Sequence, residues 1–199
     1  WKPVDFDGLQ LVIRPEQARS ETKARASRAE VQQMLIKKKQ SQTYKERQEG
    51  YVVIDLETTG LNSSSDEIIE LAAIRIINHK IADQLEILVK TEKGVPKVIT
   101  ELTGITEEIL EEKGTVLSSA MERFCEFIGQ STIVGHNIAF DRSFLKEACR
   151  KTNRMNLKNS AKDTLDLARR RIDDIDDYKL HALADYFQIK VEEEHRALS

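Results

Sequence analysis

Hydrophobic and polar positions change their spacing near residue 50, and this change divides the chain. Residues 51–56 are a continuous apolar run, and residues 67–77 and 83–89 are two further runs rich in β-branched side chains. Runs of this length and composition predict buried strands. Because only the Asn78-His79-Lys80 turn separates the last two runs, they are expected to pair as an antiparallel hairpin.

Further along the chain, apolar residues recur every three or four positions, which is the spacing of amphipathic helices. The predicted helices cover residues 106–112, 117–128, a segment that includes Phe140 to Ala148, 164–171 and 180–187, and a short strand covers 132–134. A run of strands followed by strands that alternate with helices predicts an α/β domain with three layers and a mixed sheet.

The first 49 residues differ from the rest of the chain in their pattern of apolar and polar residues. Residues 1–14 contain the short apolar segment Leu9-Gln-Leu-Val-Ile13 after an Asp7-Gly8 turn signal. A strand this short is not stable alone, so we expect it to add to a sheet elsewhere. Residues 15–49 are a polar linker, in which the capping-box pattern Ser27-Arg-Ala-Glu30 predicts one marginal helix. The predicted organisation is therefore a strand segment at 1–14, a linker at 15–49 and an α/β domain at 50–199.

Composition and charge exclude few classes of protein. No apolar run approaches the roughly 20 residues of a membrane span, and no secretory signal is recognisable. Cys125 and Cys149 both lie in apolar helical patterns, so we expect them to fill the core of a protein in the reducing cytoplasm. The net charge of −3 neither supports nor excludes a polynucleotide substrate, because the acids of a metal site would offset basic residues elsewhere.

Two carboxylates stand at the end of the first buried strand, Asp55 and Glu57. Residues i and i+2 of a strand point to the same side, about 6–7 Å apart. Two acids so placed repel each other and favour a cation between them, and oxygen ligands suit Mg²⁺ or Mn²⁺ rather than Zn²⁺. A pair of solvated acids at a strand end is the alternative interpretation of this pair alone.

Two more residues are candidates for chemistry. Asp141 follows a strand that ends at Gly135 and a turn at His136-Asn137, and so lies at the sheet edge where open α/β sheets bind ligands. The alternative is that Asp141 has no chemical role and is placed there because the positive end of the helix dipole stabilises its charge. His195 follows a strand-like segment, where a neutral imidazole beside a metal site would accept a proton from water. An ordinary surface histidine is the alternative there.

Taken together, residues 50–199 resemble the DnaQ-like (DEDDh) family of 3′→5′ exonucleases. Three motifs stand in the family's order, namely Asp55-x-Glu57-Thr-Thr-Gly-Leu61, Gly135-His-Asn-x-x-Phe-Asp141 and His195-Arg-Ala-Leu198. The segments Leu102-Thr-Gly-Ile105 and Asp163-Thr-Leu165 also occur where the family has them. The resemblance implies a ribonuclease H-like fold with a mixed five-stranded sheet, and a 3′→5′ exodeoxyribonuclease that hydrolyses DNA with single-stranded 3′ ends.

The same resemblance implies roles for individual residues. Asp55, Glu57 and Asp141 would ligate two Mg²⁺ or Mn²⁺ ions roughly 3.5–4 Å apart, and His195 would be the general base. The residues implied in substrate binding are Thr58, Thr59, Leu61, Thr103, Gly104, Ile105, His136, Asn137 and Phe140. The family places a last carboxylate five residues after the histidine, at position 200. We expect the natural chain to continue past Ser199, and a site that lacks this ligand is the alternative.

The segment Pro3-Val-Asp-Phe-Asp-Gly-Leu-Gln-Leu-Val12 is similar to the carboxy-terminal tail of the small, non-catalytic subunit of the CRISPR spacer-integration complex. This resemblance implies that the chain begins inside a longer protein and that residues 1–14 bind the integrase subunit and a second copy of the chain. The nuclease would then trim 3′ overhangs of captured DNA for antiviral defence. A 35-residue linker spans roughly 30–35 Å, enough to reach a nearby strand end.

Three alternatives stay open at the level of sequence. The domain is a proofreading exonuclease of a DNA polymerase, or an impaired exonuclease fold that acts as a tethering module, or an enzyme that acts on RNA. The choice between RNA and DNA depends on pocket contacts to the 2′ hydroxyl, which the motifs do not define. The physiological metal and the oligomeric state are also not determined by the sequence.

Overall fold

The computed structural model describes residues 50–189 and two short strands near the amino terminus, β1 (Val4–Phe6) and β2 (Leu9–Leu11). Strands β1 and β2 pair with each other in antiparallel register, with Val4 opposite Leu11. Contacts divide the chain into two units, residues 1–43 and 44–199. The predicted linker helix and His195 lie outside the described residues, and addition of the first strands to another sheet stays a prediction.

The second unit contains a mixed five-stranded sheet, which confirms the predicted fold class. Its strands are β3 (Tyr51–Thr58), β4 (Ile68–Ile77), β5 (Lys80–Leu88), β6 (Thr132–Gly135) and β7 (Ala161–Asp163). They are ordered β5-β4-β3-β6-β7 across the sheet. Strands β3, β4 and β5 are antiparallel neighbours, whereas β6 and β7 run parallel to β3. The carboxyl ends of β3, β6 and β7 therefore meet at one edge.

Six helices are assigned within residues 50–189. They are α1 (Lys97–Thr103), α2 (Glu107–Lys113), α3 (Leu117–Ile128), α4 (Ile138–Lys151), α5 (Thr164–Arg169) and α6 (Leu180–Tyr186). Helix α1 was not predicted from the sequence, while the other five match predicted helices. None of the helices in this part of the chain is long and apolar enough to cross a membrane.

The main core lies between one face of the sheet and helices α3 and α4. Its members include Val52, Ile54 and Leu56 of β3 and Phe124 and Phe144 of the helices. Burial of each such side chain contributes roughly 1.5–3 kcal/mol. Cys149 is buried in this core and the half-buried Cys125 packs against it, as predicted.

Arg75 fastens the end of helix α3 to the sheet. Its guanidinium lies 4.9 Å from the centre of the Phe127 ring and donates hydrogen bonds to the Phe127 carbonyl and, at 3.3 Å, to the Ser131 hydroxyl. A cation at this position also interacts favourably with the negative end of the helix dipole. Helix α3 is thus held against the face of the sheet that carries the main core.

Candidate active site

Strand β3 places Asp55 and Glu57 on the face of the sheet opposite the main core. Its buried residues alternate, so that Val52, Ile54 and Leu56 face helices α3 and α4. Because successive side chains of a strand point to opposite faces, Asp55 and Glu57 lie together on the other side. Asp55 is exposed and Glu57 is half-buried.

Strand β4 brings a third carboxylate to this face, next to a β-bulge. Glu57 pairs with Glu70 and Thr58 pairs with Ile68, so Ile69 is an extra residue in strand β4. The bulge leaves Ile69 and Glu70 on the same side of the sheet, with Glu70 directly opposite Glu57. Glu70 is completely buried. The sequence prediction missed this residue.

Asp141 enters the site from the first turn of helix α4. It is 3% exposed, and its Oδ1 atom has no hydrogen-bond partner among the described residues. A carboxylate buried in this way loses the hydration that stabilises its charge. Asp141 is therefore a buried acid at the start of helix α4.

Asp55 and Asp141 act on each other electrostatically. Burial, and then the charge of Asp55, raise the pKa of Asp141 to about 7, and Asp163 adds to this effect. Loss of hydration raises the pKa of Asp55 to about 6, with Glu70 contributing, although the Asp55 side chain is exposed on one side. The backbone N–H of Leu56 interacts with both aspartates and lowers both pKa values. The two carboxylates therefore converge beside this amide.

The turn before helix α4 is held by residues at the end of β7. The carboxylate of Asp163 accepts hydrogen bonds from the backbone N–H of Asn137 at 3.0 Å and of Leu165 at 2.9 Å. The Thr164 hydroxyl donates to the Gly135 carbonyl at 3.2 Å and lies 3.1 Å from Nδ1 of His136. Because this hydroxyl has only one proton to donate, Nδ1 of His136 must be the donor to it. In a neutral His136 the ring proton is then on Nδ1, and Nε2 is the acceptor nitrogen.

The predicted binding residues Thr58, Thr59 and Leu61 belong to a loop that is closed by its own hydrogen bonds. The Thr59 N–H donates to the Glu67 carbonyl and the Glu67 N–H donates to the Thr59 hydroxyl, both at 2.9 Å. The Thr58 hydroxyl donates to the Gly60 carbonyl at 2.7 Å. Thr58 and Thr59 are buried, whereas the Leu61 side chain is 87% exposed and free to contact a ligand.

The predicted residues Thr103, Gly104 and Ile105 form the end of helix α1. Gly104 ends the helix in the left-handed conformation, with φ of 71°. The buried Thr103 hydroxyl donates to the Ile99 carbonyl and accepts from the Ile105 N–H. Ile105 packs with Ile69 of the bulge. This segment and the loop at 58–61 therefore both border the beginning of β4.

The third predicted binding group lies at the end of β6. His136 is half-buried and Asn137 is exposed, with a left-handed φ of 59°. Phe140 is half-buried, and its ring centre is 5.0 Å from that of Phe144. This group adjoins Asp141 along the chain. A pocket that this group shares with the loop at 58–61 stays a prediction.

The donors that meet at this site fit a hard divalent cation. Asp55 and Asp141 supply oxygen ligands only, one oxygen of Asp141 is unpartnered, and the Asp55 charge raises the pKa of Asp141. A nearby cation would relieve both effects. Within residues 50–189, however, no three His, Cys, Asp or Glu side chains are grouped closely enough to enclose a metal ion. The roles of Glu57 and His195 stay predictions.

The family of the α/β domain follows from comparison with known protein families. The sequence matches the exonuclease family RNase_T over residues 52–199. The chain therefore belongs to this family. The match spans the α/β domain and all three sequence motifs.

Curated relatives are much longer than this chain. The chain is 38% identical over 148 residues to DNA polymerase III PolC-type of Caldanaerobacter subterraneus and 37% identical over 152 residues to that of Bacillus subtilis. These matches cover 74% and 76% of this chain but only 10% of each relative. The likeness therefore concerns one segment of those proteins.

Solved structures agree on the fold. Exonuclease I of Escherichia coli in complex with a dT13 oligonucleotide matches with a TM-score of 0.68 and 20% identity, covering 75% of this chain and 38% of that one. A zinc-bound complex of the same enzyme with single-stranded DNA gives the same TM-score at 21% identity, covering 75% of this chain and 37% of that one. At this level of identity the likeness supports the α/β fold alone.

Proposed function

We propose that residues 50–199 form a metal-dependent 3′→5′ exodeoxyribonuclease that removes nucleotides from single-stranded 3′ ends. The observation that carries this proposal is the convergence of Asp55 and Asp141 at the sheet edge, where one buried oxygen of Asp141 has no hydrogen-bond partner within residues 50–189. The match to an exonuclease family over residues 52–199 supports it. The reaction class is hydrolysis of a phosphodiester bond.

In this proposal Asp55, Glu57 and Asp141 hold two Mg²⁺ or Mn²⁺ ions. Such ions, when bound, stabilise the charge that develops on the phosphate. His195 takes the proton from the attacking water, because in this proposal the oxygen atoms of the three carboxylates are occupied by the metal ions. The 3′ oxygen of the preceding nucleotide is the leaving group, so each cycle releases one nucleoside 5′-monophosphate and leaves a shorter strand with a 3′ hydroxyl.

The remaining residues position the strand end. The exposed Leu61 packs against the terminal base, and Thr58, Thr59 and the Thr103–Ile105 segment line the adjoining pocket. His136, Asn137 and Phe140 contact the strand on the Asp141 side. Nε2 of a neutral His136 is an acceptor there, and it suits a hydroxyl or amino donor of the nucleotide better than a phosphate oxygen.

The direct test is a time course on duplexes with a single-stranded 3′ or 5′ overhang, with the full chain and Mn²⁺. We expect stepwise shortening of 3′ overhangs only, and no reaction with a chelator. Asp55→Asn is expected to abolish shortening, whereas Asp166→Asn is a matched control at an exposed acid that pairs with Arg170 at 3.3 Å. Internal cuts, or degradation that begins at 5′ ends, would contradict the proposal.

We propose further that the setting of this activity is the trimming of captured DNA before CRISPR integration. The support is the resemblance of residues 3–12 to the tail of an integration-complex subunit. Residues 1–14 would bind the integrase subunit and a second copy of the chain, which raises the local concentration of the nuclease. Trimming is then expected to stop at a boundary set by the integrase. Equal trimming with and without the integrase subunits would rule this setting out.

Proofreading during DNA synthesis is a second candidate setting for the same chemistry. Identity of 38% over 148 residues with a PolC-type DNA polymerase III favours it. A proofreading enzyme should remove a mismatched 3′ terminal nucleotide faster than a matched one, and it should bind a polymerase. Equal rates on matched and mismatched ends, together with an integrase-dependent stop, would favour the CRISPR setting instead.

A further inference from the structure

A groove of about 400 Å³ is lined by one side of helix α4 and by the loop at residues 156–159. We call it the basic groove. Its polar lining consists of Arg142, Ser143, Lys146, Asn156 and Asn159, over an apolar floor. The Asn159 amide donates to the backbone carbonyls at 129 and 131, at 3.0 and 2.8 Å. One wall of the groove is therefore fixed to the end of helix α3.

The charge of the basic groove is of one sign. The chain has 34 acidic and 31 basic residues, yet both charged residues in this lining are cations. Neither Arg142 nor Lys146 makes an ion pair within the described part of the chain, whereas Arg150, further along helix α4, pairs with Glu147 at 2.6 Å. Arg142 is also near the helix amino terminus, where the helix dipole disfavours a cation. Local stability does not account for its position.

The basic groove shares helix α4 with the candidate active site. Arg142 directly follows Asp141, and it is exposed where Asp141 is buried. Lys146 follows one turn later, about 6 Å further along the helix axis. The two cations thus form a row that leads away from the carboxylates. A strand whose 3′ end lies at Asp141 would have its preceding phosphates within reach of this row.

We propose that the basic groove binds the phosphate backbone of the substrate strand on the 5′ side of the terminal nucleotide. This inference rests on the proposed nuclease function, because that function places a strand end beside Asp141. Sequence-independent binding of single strands uses a positively charged groove that follows the backbone. Arg142 and Lys146 supply the charges, and the Asn156 side chain is exposed to donate to phosphate oxygens.

Binding is tested on the full chain with a 5′-labelled 15-nucleotide thymidine strand, by fluorescence anisotropy in the presence of a chelator so that nothing is cleaved. The double variant Arg142→Ala/Lys146→Ala is expected to bind roughly tenfold more weakly at 0.1 M salt, with the salt slope reduced by about 1.4. The control Lys80→Ala/Arg123→Ala removes the same charge from exposed positions elsewhere and should bind within about twofold of the parent. Arg142→Lys/Lys146→Arg keeps the charges and should keep the binding.

A hydrolysis assay separates the basic groove from the terminal pocket. In the Arg142→Ala/Lys146→Ala variant, kcat/KM for the 15-nucleotide strand should fall roughly tenfold, and that for a dinucleotide should not change. If the parent chain cleaves neither substrate, the proposed nuclease function fails, while anisotropy still decides whether the basic groove binds DNA. Equal weakening in the Lys80/Arg123 control, or competition by polyglutamate as strong as that by DNA of equal charge, would overturn the assignment.

Discussion

Glu67 and Asp141 are two acids near the same end of the sheet, and their surroundings shift the two pKa values in opposite directions. Burial alone would raise the pKa of Glu67, but hydrogen bonds from the Thr91 hydroxyl and the N–H groups of Glu92 and Lys93 outweigh it and lower the pKa. Asp141 is more deeply buried, has one oxygen without a hydrogen-bond partner in the described part of the domain, and has its pKa raised to about 7.

The difference separates a structural acid from a functional one. The loop at residues 91–93 supplies donors to Glu67, so its charge stabilises the fold. Around Asp141 the neighbouring acids, Asp55 and Asp163, disfavour its charge. A bound metal cation would offset the repulsion among these neighbouring acids. The charge of Asp141 therefore costs stability in the metal-free protein.

The largest expected effect comes from Asp141→Asn. Activity should fall on the order of 10³-fold, because removal of a metal ligand loses several kcal/mol of charge stabilisation. At pH 8 without metal, however, the free energy of unfolding should rise by about 1 kcal/mol, since the variant no longer buries a charge. Initial rates on a 3′ overhang and urea denaturation measure the two effects.

Glu67→Gln is the matched contrast to that variant. It removes charge-assisted hydrogen bonds, so the free energy of unfolding should fall by about 1 kcal/mol, while the rate constant of hydrolysis stays close to that of the parent. A loss of stability in both variants, or a gain in both, would contradict the distinction between the two acids.

The metal-free protein should lose stability as pH rises from about 4 to 7. Asp55 and Asp141 have pKa values of about 6 and 7 in the folded chain against an ordinary value of 3.8. In this window the folded state holds protons that the unfolded state has released, so the free energy of unfolding falls as pH rises. Mn²⁺ competes with those protons and stabilises only the folded state. The Mn²⁺-induced increase in Tm should therefore be large at pH 8 and small at pH 5, and an equal increase at both would contradict the coupling.

Glu70→Gln should give the smallest effect of this series. The charge of Glu70 helps to raise the pKa of Asp55, so its removal should lower that pKa and move the onset of Mn²⁺ binding to lower pH. Carboxyl carbon NMR through a pH titration of Asp55 measures the change. An unchanged Asp55 titration would show that Glu70 acts only on packing.

Long periodic segments were predicted well because their burial is regular. Helix α3 has the predicted bounds, and strand β3 extends the predicted strand by two residues. Helix α1 was missed because it begins with β-branched residues after Pro96, and β7 because three residues carry no measurable period. Strand β5 begins earlier than predicted, since Asn78 and His79 alone form the turn with positive φ angles.

The site was predicted in part, for a similar reason. Asp55, Glu57 and Asp141 stand in short motifs, and their faces follow from the periods of strand and helix. Glu70 lies inside an apolar run, and its place opposite Glu57 depends on the register between strands β3 and β4, which the local sequence pattern does not determine. The one feature of the sequence that could have indicated its role is that Glu70 is an acid within a strand whose composition predicts burial on both faces.

Titration of Mn²⁺ into the full chain at pH 8, followed by isothermal calorimetry, tests the central claim most directly. We predict binding to the parent chain and to Asp166→Asn, and loss of that binding in Asp55→Asn and in Asp141→Asn. Undiminished binding in both of these aspartate variants would show that the two carboxylates do not form a metal centre.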